Sequence, residues 1–587
     1  MMETSVESHP ISLTPGISPV LPLRIPQSDR CETSVQIGVF FDGTGNNKDW
    51  DGASDCNAGD GSQASRKKDS NVARLFYAYP ADPNESYYPL YIAGVGTPFP
   101  PIGEVDPATF GLAFGEGGEG RINFALLHVL DSLQRTLSNA TRSTYSHEDT
   151  LKYCRDNGRS ENKYFFSREA QRIATLSREV EKPRITEIFI DVFGFSRGAA
   201  EARVFCTWLN ELFQGNTLCG IPAKVRMLGI FDTVASVGIP TSTQGIGTYT
   251  SGHMAWATPD NLQIAPCVEN CVHYISMHEN RPSFPLDRIT RPDGSLPPNG
   301  HEYAFPGMHS DVGGGYAPGE QGRGRLEGLD AQDSEKLSQI PLNYMLKAAQ
   351  DAKVPLDVDL AFAQSESGGD PFRVDAGLQQ AYEAFSEAMG SEARVPRDWL
   401  MPYLKWRVAR TSSYPNLPWR QRASQDDIND LIGANEILKS DIEALDEAGG
   451  FWKTTSDVAL NLLFRWHETD TEHVRRLAPE ARDVLGRARE NPTISGEEAT
   501  MFGIYAHDSF AGFRPFDTEI NTYLFGCRDL MPGSWEPEGY LRYRRFYRGT
   551  NEELTFNMRN DPSKPWEREI RYASTESPDS RRTTELS

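Results

Sequence analysis

A short apolar run ending in a glycine-framed serine constrains the folding of this chain more than any other feature of its 587 residues. Ile185-Thr186-Glu187-Ile188-Phe189-Ile190-Asp191-Val192-Phe193 is rich in β-branched and aromatic residues, and it passes directly into Gly194-Phe195-Ser196-Arg197-Gly198-Ala199-Ala200. A strand, a tight turn and a helix start in that order, with G-x-S-x-G across the turn, make a nucleophile elbow. The glycines are required there because a Cβ on either side would crowd the strand or the helix. The strained turn presents the Ser196 hydroxyl, and the helix start brings backbone N–H groups and its positive dipole end beside a developing oxyanion. The competing reading, a glycine-rich turn whose serine caps the helix, has the same local sequence. The rest of the chain must decide between them.

Three further apolar runs have the same texture: Val35 to Phe41, Val225 to Phe231 and Cys271 to Met277. Segments able to form a helix, such as Ala199 to Phe213, lie between runs of this kind. Strands alternating with helices predict the α/β class with a mostly parallel sheet, whose chemistry sits at the carboxyl ends of the strands. Beyond about residue 335 the pattern turns helical, as in Leu378 to Met389 and Asp426 to Asp446. The expected organisation is a proline-rich extended arm over 1–34 and an α/β domain over 35–334 with polar excursions at 48–70 and 139–184. A large, mainly helical C-terminal module over 335–573 follows, then a disordered tail over 574–587.

A serine hydroxyl needs a base to take its proton, and hydrolases with this elbow supply partners in the order Ser, acid, His. Asp232 ends the run Val225-Arg226-Met227-Leu228-Gly229-Ile230-Phe231, one strand after the elbow. His309 lies in the glycine-dense loop Phe305-Pro306-Gly307-Met308-His309-Ser310-Asp311-Val312-Gly313-Gly314-Gly315-Tyr316. His507 is the runner-up base, whereas His253, His273 and His278 fall in or beside core segments. Strand-end carboxylates also serve as caps and loop anchors, so Asp260, Glu279, Asp287 and Asp311 compete with Asp232 for the acid. The turn Phe41-Asp42-Gly43-Thr44-Gly45-Asn46 ends the first run, and the backbone N–H groups of Asp42 and Gly43 are expected to complete an oxyanion hole with that of Arg197. No Lys-Ser/Thr follows this turn, which excludes a P-loop. This chemistry needs no metal and no cofactor.

The formal net charge of −23 disfavours nucleic acid as a partner, because neutralising phosphates takes clustered Lys and Arg. Eight cysteines are too few for a disulfide framework, and Cys267 and Cys271, four apart with no further ligand at metal-site spacing, read as buried thiols. No cleavable signal peptide precedes the first strand, and no run of about 18 apolar residues spans a membrane. The expectation is synthesis in the cytoplasm and, if the protein acts outside its cell, exit by a route that needs no signal peptide.

Taken together, Phe41-Asp42-Gly43-Thr44-x-Asn46, Gly194-Phe195-Ser196-Arg197-Gly198-Ala199, Phe231-Asp232-Thr233-Val234-Ala235-Ser236-Val237-Gly238 and His309-Ser310-Asp311-Val312-Gly313-Gly314-Gly315-Tyr316 are more specific than any one of them. The set resembles the first family of type VI secretion lipase effectors, phospholipases A built on an α/β-hydrolase domain, over about residues 35 to 320. Tyr505 to Phe516 resembles a family segment in the C-terminal module. The resemblance implies hydrolysis of acyl esters of glycerophospholipids in a rival bacterium's envelope, after delivery into its periplasm by the type VI apparatus. Implied partners are the VgrG spike protein, a periplasmic immunity protein and the phospholipid membrane as substrate. Ser196 matches the family nucleophile and His309 its base. The family's acid is drawn in some members from the loop beyond the Asp232 strand, where this chain reads Tyr249-Thr250-Ser251-Gly252-His253 with no carboxylate, which leaves Asp232 as the choice. Two other readings stand beside this one: an esterase or thioesterase acting on a small soluble or neutral-lipid ester, and a non-catalytic adaptor on the spike. An apolar covering over the pocket is expected of a lipase, with Trp399-Leu400-Met401 and Tyr403-Leu404-Lys405-Trp406 as candidates.

Overall fold

The computed structural model describes residues 32–48, 69–105, 117–154, 159–181, 183–235, 253, 256–281, 283–324, 333–364, 370–390, 396–448, 477, 480–513, 539–547 and 571–572. The arm over 1–31, most of the 48–70 excursion, the turn 236–238, the loop 249–252 and the tail over 574–587 lie outside them. Along the chain come β1 (Glu32–Phe41), α1 (Asn71–Tyr77), β2 (Tyr87–Ile92), α2 (Gly118–Ser138), α3 (His147–Cys154), α4 (Arg159–Glu179), β3 (Arg184–Phe195) and α5 (Arg197–Asn210). The short β4 (Phe213–Gln214) and β5 (Thr217–Leu218), β6 (Ile221–Phe231), β7 (Cys271–Ser276), β8 (Leu286–Asp287), β9 (Gly300–Phe305) and α6 (His309–Gly313) follow. Then come α7 (Gln339–Asp351), α8 (Val358–Gln364), α9 (Ala376–Met389), α10 (Pro396–Arg410), α11 (Gln425–Ala448), α12 (Ala481–Glu490), α13 (Gly496–Thr500), β10 (Phe546–Tyr547) and β11 (Arg571–Tyr572).

The main sheet has the order β11-β9-β7-β6-β3-β1-β2, and every neighbouring pair along it is parallel. The fold is α/β, as the alternation of strand and helix predicts. Strand β3 is buried continuously from Ile190 onward because helices cover both faces of a parallel sheet, and its continuous apolar run reflects that. Strands β2 and β9 have no such run. Pro89 interrupts β2, which the edge position tolerates, and Glu302 and His301 break the apolar texture of β9. Within the excursion over 139–184 the described residues 147–154 and 159–179 are helical, as α3 and α4, and both pack on α2.

Register decides which strand ends meet. Between β3 and β6 the pairing runs Ile190 with Val225 and then Asp191 with Met227, so Arg226 is the extra residue of a bulge. Its guanidinium turns onto the buried Asp191, Nε to Oδ1 at 2.9 Å and a terminal nitrogen to Oδ2 at 2.5 Å, with Gln36 Oε1 at 3.0 Å on β1. Tyr79 donates its hydroxyl to the same carboxylate at 2.9 Å. Beyond the bulge Phe195 pairs with Phe231, which sets Ser196 and Asp232 side by side just past the ends of β3 and β6.

The core runs without a break from the sheet into the helices after residue 335. Helix α7 lies against β6 and β7, so close that a Cβ on Gly229 would stand 2.7 Å from Met345 Sδ. Trp399, Leu400, Tyr403, Leu404 and Trp406 of α10 are buried in this core. Their apolar character is therefore spent on packing, which corrects their reading as a movable cover. Among the described residues no helix is long and apolar enough to cross a membrane.

Removing one partner of a buried, hydrogen-bonded ion pair leaves an uncompensated charge. Arg226→Met is expected to lower unfolding free energy by about 3 kcal/mol or more, read from the urea midpoint. An unchanged midpoint would show that the bulge is held by other contacts.

Candidate active site

At the turn between β3 and α5, Ser196 takes φ 58° and ψ −125°, a backbone conformation rare for any residue but glycine. Neighbouring backbone enforces it. A Cβ on Gly194 would stand 2.6 Å from Gly198 O, and one on Gly198 would stand 2.3 Å from Asp42 O and 2.4 Å from Phe41 O. The two glycines thus let the turn fold on itself and let α5 sit beneath the end of β1. The Ser196 N–H donates to Phe231 O at 3.0 Å, and Val234 N–H donates back to Ser196 O at 3.2 Å, tying the elbow to the β6 end.

His309 stands at the start of α6. Its Nε2 is 2.8 Å from Ser196 Oγ and its Nδ1 is 2.6 Å from Asp232 Oδ2. The ring is buried between Phe195 and Phe284, with centroids at 4.7 and 4.8 Å. Burial disfavours the charged imidazolium and lowers the His309 pKa below the ordinary 6.5, with Asp232 pulling the other way. Asp311, two residues on, turns its Oδ2 back to the Met308 N–H at 2.9 Å and fixes the helix start. Gly313 is needed at the other end of this helix, since a Cβ would lie 1.9 Å from the Phe195 ring.

Asp232 also has a positive φ, 41°, and no solvent exposure. Ser276 donates its N–H to Oδ1 at 2.8 Å, and its hydroxyl lies 3.1 Å from Oδ2. Arg544 reaches both carboxylate oxygens at 2.7 Å, a bidentate ion pair from near the far end of the chain. Burial by itself would raise the Asp232 pKa. The Arg544 charge and the His309 hydrogen bond outweigh it and hold the carboxyl well below the usual range.

The other candidates have different partners. His507, the runner-up base, binds Asp311 Oδ1 through Nδ1 at 2.6 Å and stacks on Tyr316, away from Ser196. His253 is 2.5 Å from Asp287 Oδ1, and His273 lies between Glu302 and Thr233. His278 accepts the Gly307 N–H at 2.9 Å. Among the competing acids, Glu279 pairs with Arg281 and accepts the His309 backbone N–H at 3.3 Å, Asp287 accepts the Ala235 N–H at 2.8 Å, and Asp260 is exposed. Cys267 and Cys271 are thiols that burial pushes up to about 12.

Two of the expected oxyanion donors are corrected. The Asp42 N–H continues the sheet ladder to Ile92 O at 2.9 Å, and the Gly43 N–H donates to Asp42 Oδ1 at 2.7 Å. Tyr91 locks that carboxylate from the other side at 2.5 Å, and burial raises the Asp42 pKa to about 6. Neither amide points at Ser196 as a donor while so engaged. Arg197 holds the first position of α5, and its side chain donates through Nε to Thr44 Oγ1. Sequence reasoning missed Arg544 and Ser276. Arg542-Tyr543-Arg544-Arg545 gives no local sign that one of its arginines faces a carboxylate three hundred residues earlier.

Comparison with known proteins bears on the family. No curated protein matches the chain significantly. An uncharacterised protein from Pseudomonas aeruginosa, known as a crystal structure, is similar with a TM-score of 0.63 at 24% identity, over 89% of this chain and 80% of that one. That likeness is one of fold. The Tle1 effector bound to the VgrG spike of the type 6 secretion system is similar only loosely, with a TM-score of 0.31 at 18% identity over 60% of this chain and 78% of that one. The family of Tle1-like phospholipase effectors of the type VI secretion system matches through its catalytic domain at residues 209–348, which include Asp232 and His309 and begin just after Ser196. Residues 209–348 are therefore similar to the catalytic domain of the Tle1-like phospholipase effectors of type VI secretion, the family that the chain's motifs resemble.

Proposed function

We propose that this protein is a serine phospholipase A that cleaves acyl esters of glycerophospholipids, with Ser196 as nucleophile, His309 as base and Asp232 as acid. The observation that carries the reading is the position of His309, 2.8 Å from Ser196 Oγ and 2.6 Å from Asp232 Oδ2. In the first step Ser196 Oγ bonds to the ester carbonyl carbon while its proton passes to His309 Nε2. The Arg197 N–H, at the positive end of α5, stabilises the oxyanion. Collapse breaks the acyl C–O bond, and the lysolipid oxygen leaves with the proton from His309. Water, deprotonated by His309, then attacks the acyl-enzyme and releases the fatty acid. Asp232 holds the imidazole in the tautomer that leaves Nε2 free to accept, and it stabilises the imidazolium.

The similarity of residues 209–348 to an effector family supports a wider reading: synthesis in the cytoplasm, export by the type VI apparatus into a target cell's periplasm, and antibacterial action on the membrane there. VgrG and a periplasmic immunity protein are the partners this reading takes. A helical module over 335–573 would supply the surface that meets lipid or spike.

The test is mass spectrometry of products from phospholipids with different acyl chains at the two positions, which also separates A1 from A2 cleavage. Ser196→Ala is expected to abolish release of fatty acid while the circular dichroism spectrum stays that of wild type; residual turnover in a clean preparation would remove Ser196 as nucleophile. Asp232→Asn is expected to cut kcat by about a hundredfold or more, since the wrong tautomer is then favoured. Because burial keeps the His309 ring neutral to lower pH than free imidazole, kcat/KM on a soluble short-chain ester should lose half its value only below pH 6.5 as acid is added. A limb above that value would contradict His309 as the base.

A further inference from the structure

Segment 539–547 lies close against the candidate site although it comes after helices α7 to α13 in the chain. Asn280 Nδ2 donates to Tyr540 O at 3.0 Å, Leu286 N to Arg545 O at 2.9 Å and Arg288 N to Tyr547 O at 2.9 Å. Strand β10 pairs in parallel with β8, whose Asp287 accepts the Ala235 N–H three residues past Asp232. Between these anchors Arg544 donates through Nε to Phe284 O at 2.7 Å and through both terminal nitrogens to Asp232. Its side chain is 2% exposed, so the fork is rigid and little screened by solvent.

We propose that Arg544 is a positioning residue for hydrolysis: it fixes the Asp232 carboxylate against His309 Nδ1, and the site is complete only with segment 539–547 docked. This rests on the reading of Ser196, His309 and Asp232 as a triad. Asp232 takes a positive φ just past its strand, and among the described residues Ser276 alone hydrogen-bonds its carboxylate besides His309 and Arg544. A bidentate guanidinium sets both its position and its plane. The charge has a second consequence. The charged groups facing His309 are Asp232 and Glu279, which favour imidazolium, and Arg544, which opposes it; Arg281 is paired to Glu279. Arg544 thus offsets part of the carboxylates' pull and helps keep the base neutral.

The test uses the full chain and a soluble short-chain ester, with Ser196→Ala beside each variant. Arg544→Gln is expected to lower kcat by about tenfold or more with KM little changed, as for groups that orient a catalytic residue. Removing the positive charge lets the carboxylates dominate, so the acid limb of kcat/KM should move up by about one pH unit. In an Asp232→Asn background the same change should cost little further turnover, because Arg544 acts through that carboxylate. If the glutamine variant does not fold, Arg544→Lys is read instead. It keeps the charge without the fork, so the limb should stay in place while kcat falls several-fold. Wild-type kcat with an unmoved limb in Arg544→Gln, or full kcat in Arg544→Lys, overturns the proposal. Activity surviving in Ser196→Ala overturns the triad reading instead.

Discussion

The buried carboxylate of Asp232 is the constraint around which the site is arranged. An ionised carboxyl removed from water is costly unless hydrogen bonds and opposite charge surround it. Here the Ser276 amide, His309 Nδ1 and the two terminal nitrogens of Arg544 do so, and together they bring strand β7, helix α6 and the 539–547 segment to one point. Two of these groups have a further tie. His309 carries the orientation on to Ser196, and Arg544 is itself held by Phe284 O. Meeting the needs of one charge therefore assembles the constellation and holds the 539–547 segment against it.

The second constraint is the sheet register. A one-residue bulge at Arg226, clasped to Asp191, sets Phe195 opposite Phe231, so the residues that follow stand side by side. Ser196 and Asp232 both take positive φ directly after their strands. Strained backbone of this kind persists only where its surroundings over-determine it. Here the Ser196 N–H on Phe231 O and the Asp232 N–H on Tyr274 O, at 3.0 and 2.7 Å, do that. The same economy of donors explains why the Asp42-Gly43 turn differs from expectation: with Asp42 in the ladder and Gly43 on the Asp42 side chain, both amides serve the turn itself.

A second buried pair, His507 with Asp311, joins the module to the His309 loop. Asp311 divides its oxygens between the Met308 and His507 amides and the His507 ring, so one carboxylate caps α6 and anchors the 505–510 stretch. Ser509 adds a bond to Glu279 at 3.1 Å, and Glu279 accepts the His309 N–H. The loop that bears His309 is in this way braced from the C-terminal side by residues that take no place beside Ser196.

By itself the sequence determined the α/β class, the strands β1, β3, β6 and β7, the elbow, the place of Asp232 at a strand end and that of His309 in a glycine-dense loop. These are local: continuous apolar runs mark buried parallel strands, and glycines at fixed offsets mark turns where backbone must approach backbone. Strands β2 and β9 escaped because Pro89, His301 and Glu302 interrupt the runs. Only the tertiary structure decided that the Asp42 and Gly43 amides are engaged in the sheet ladder and their own turn, that the tryptophans of α10 are core, and that Arg544 meets Asp232. Each of these depends on hydrogen bonds and burial between residues distant in the chain, and no local pattern in a sequence encodes which far-off donor a buried carboxylate will find.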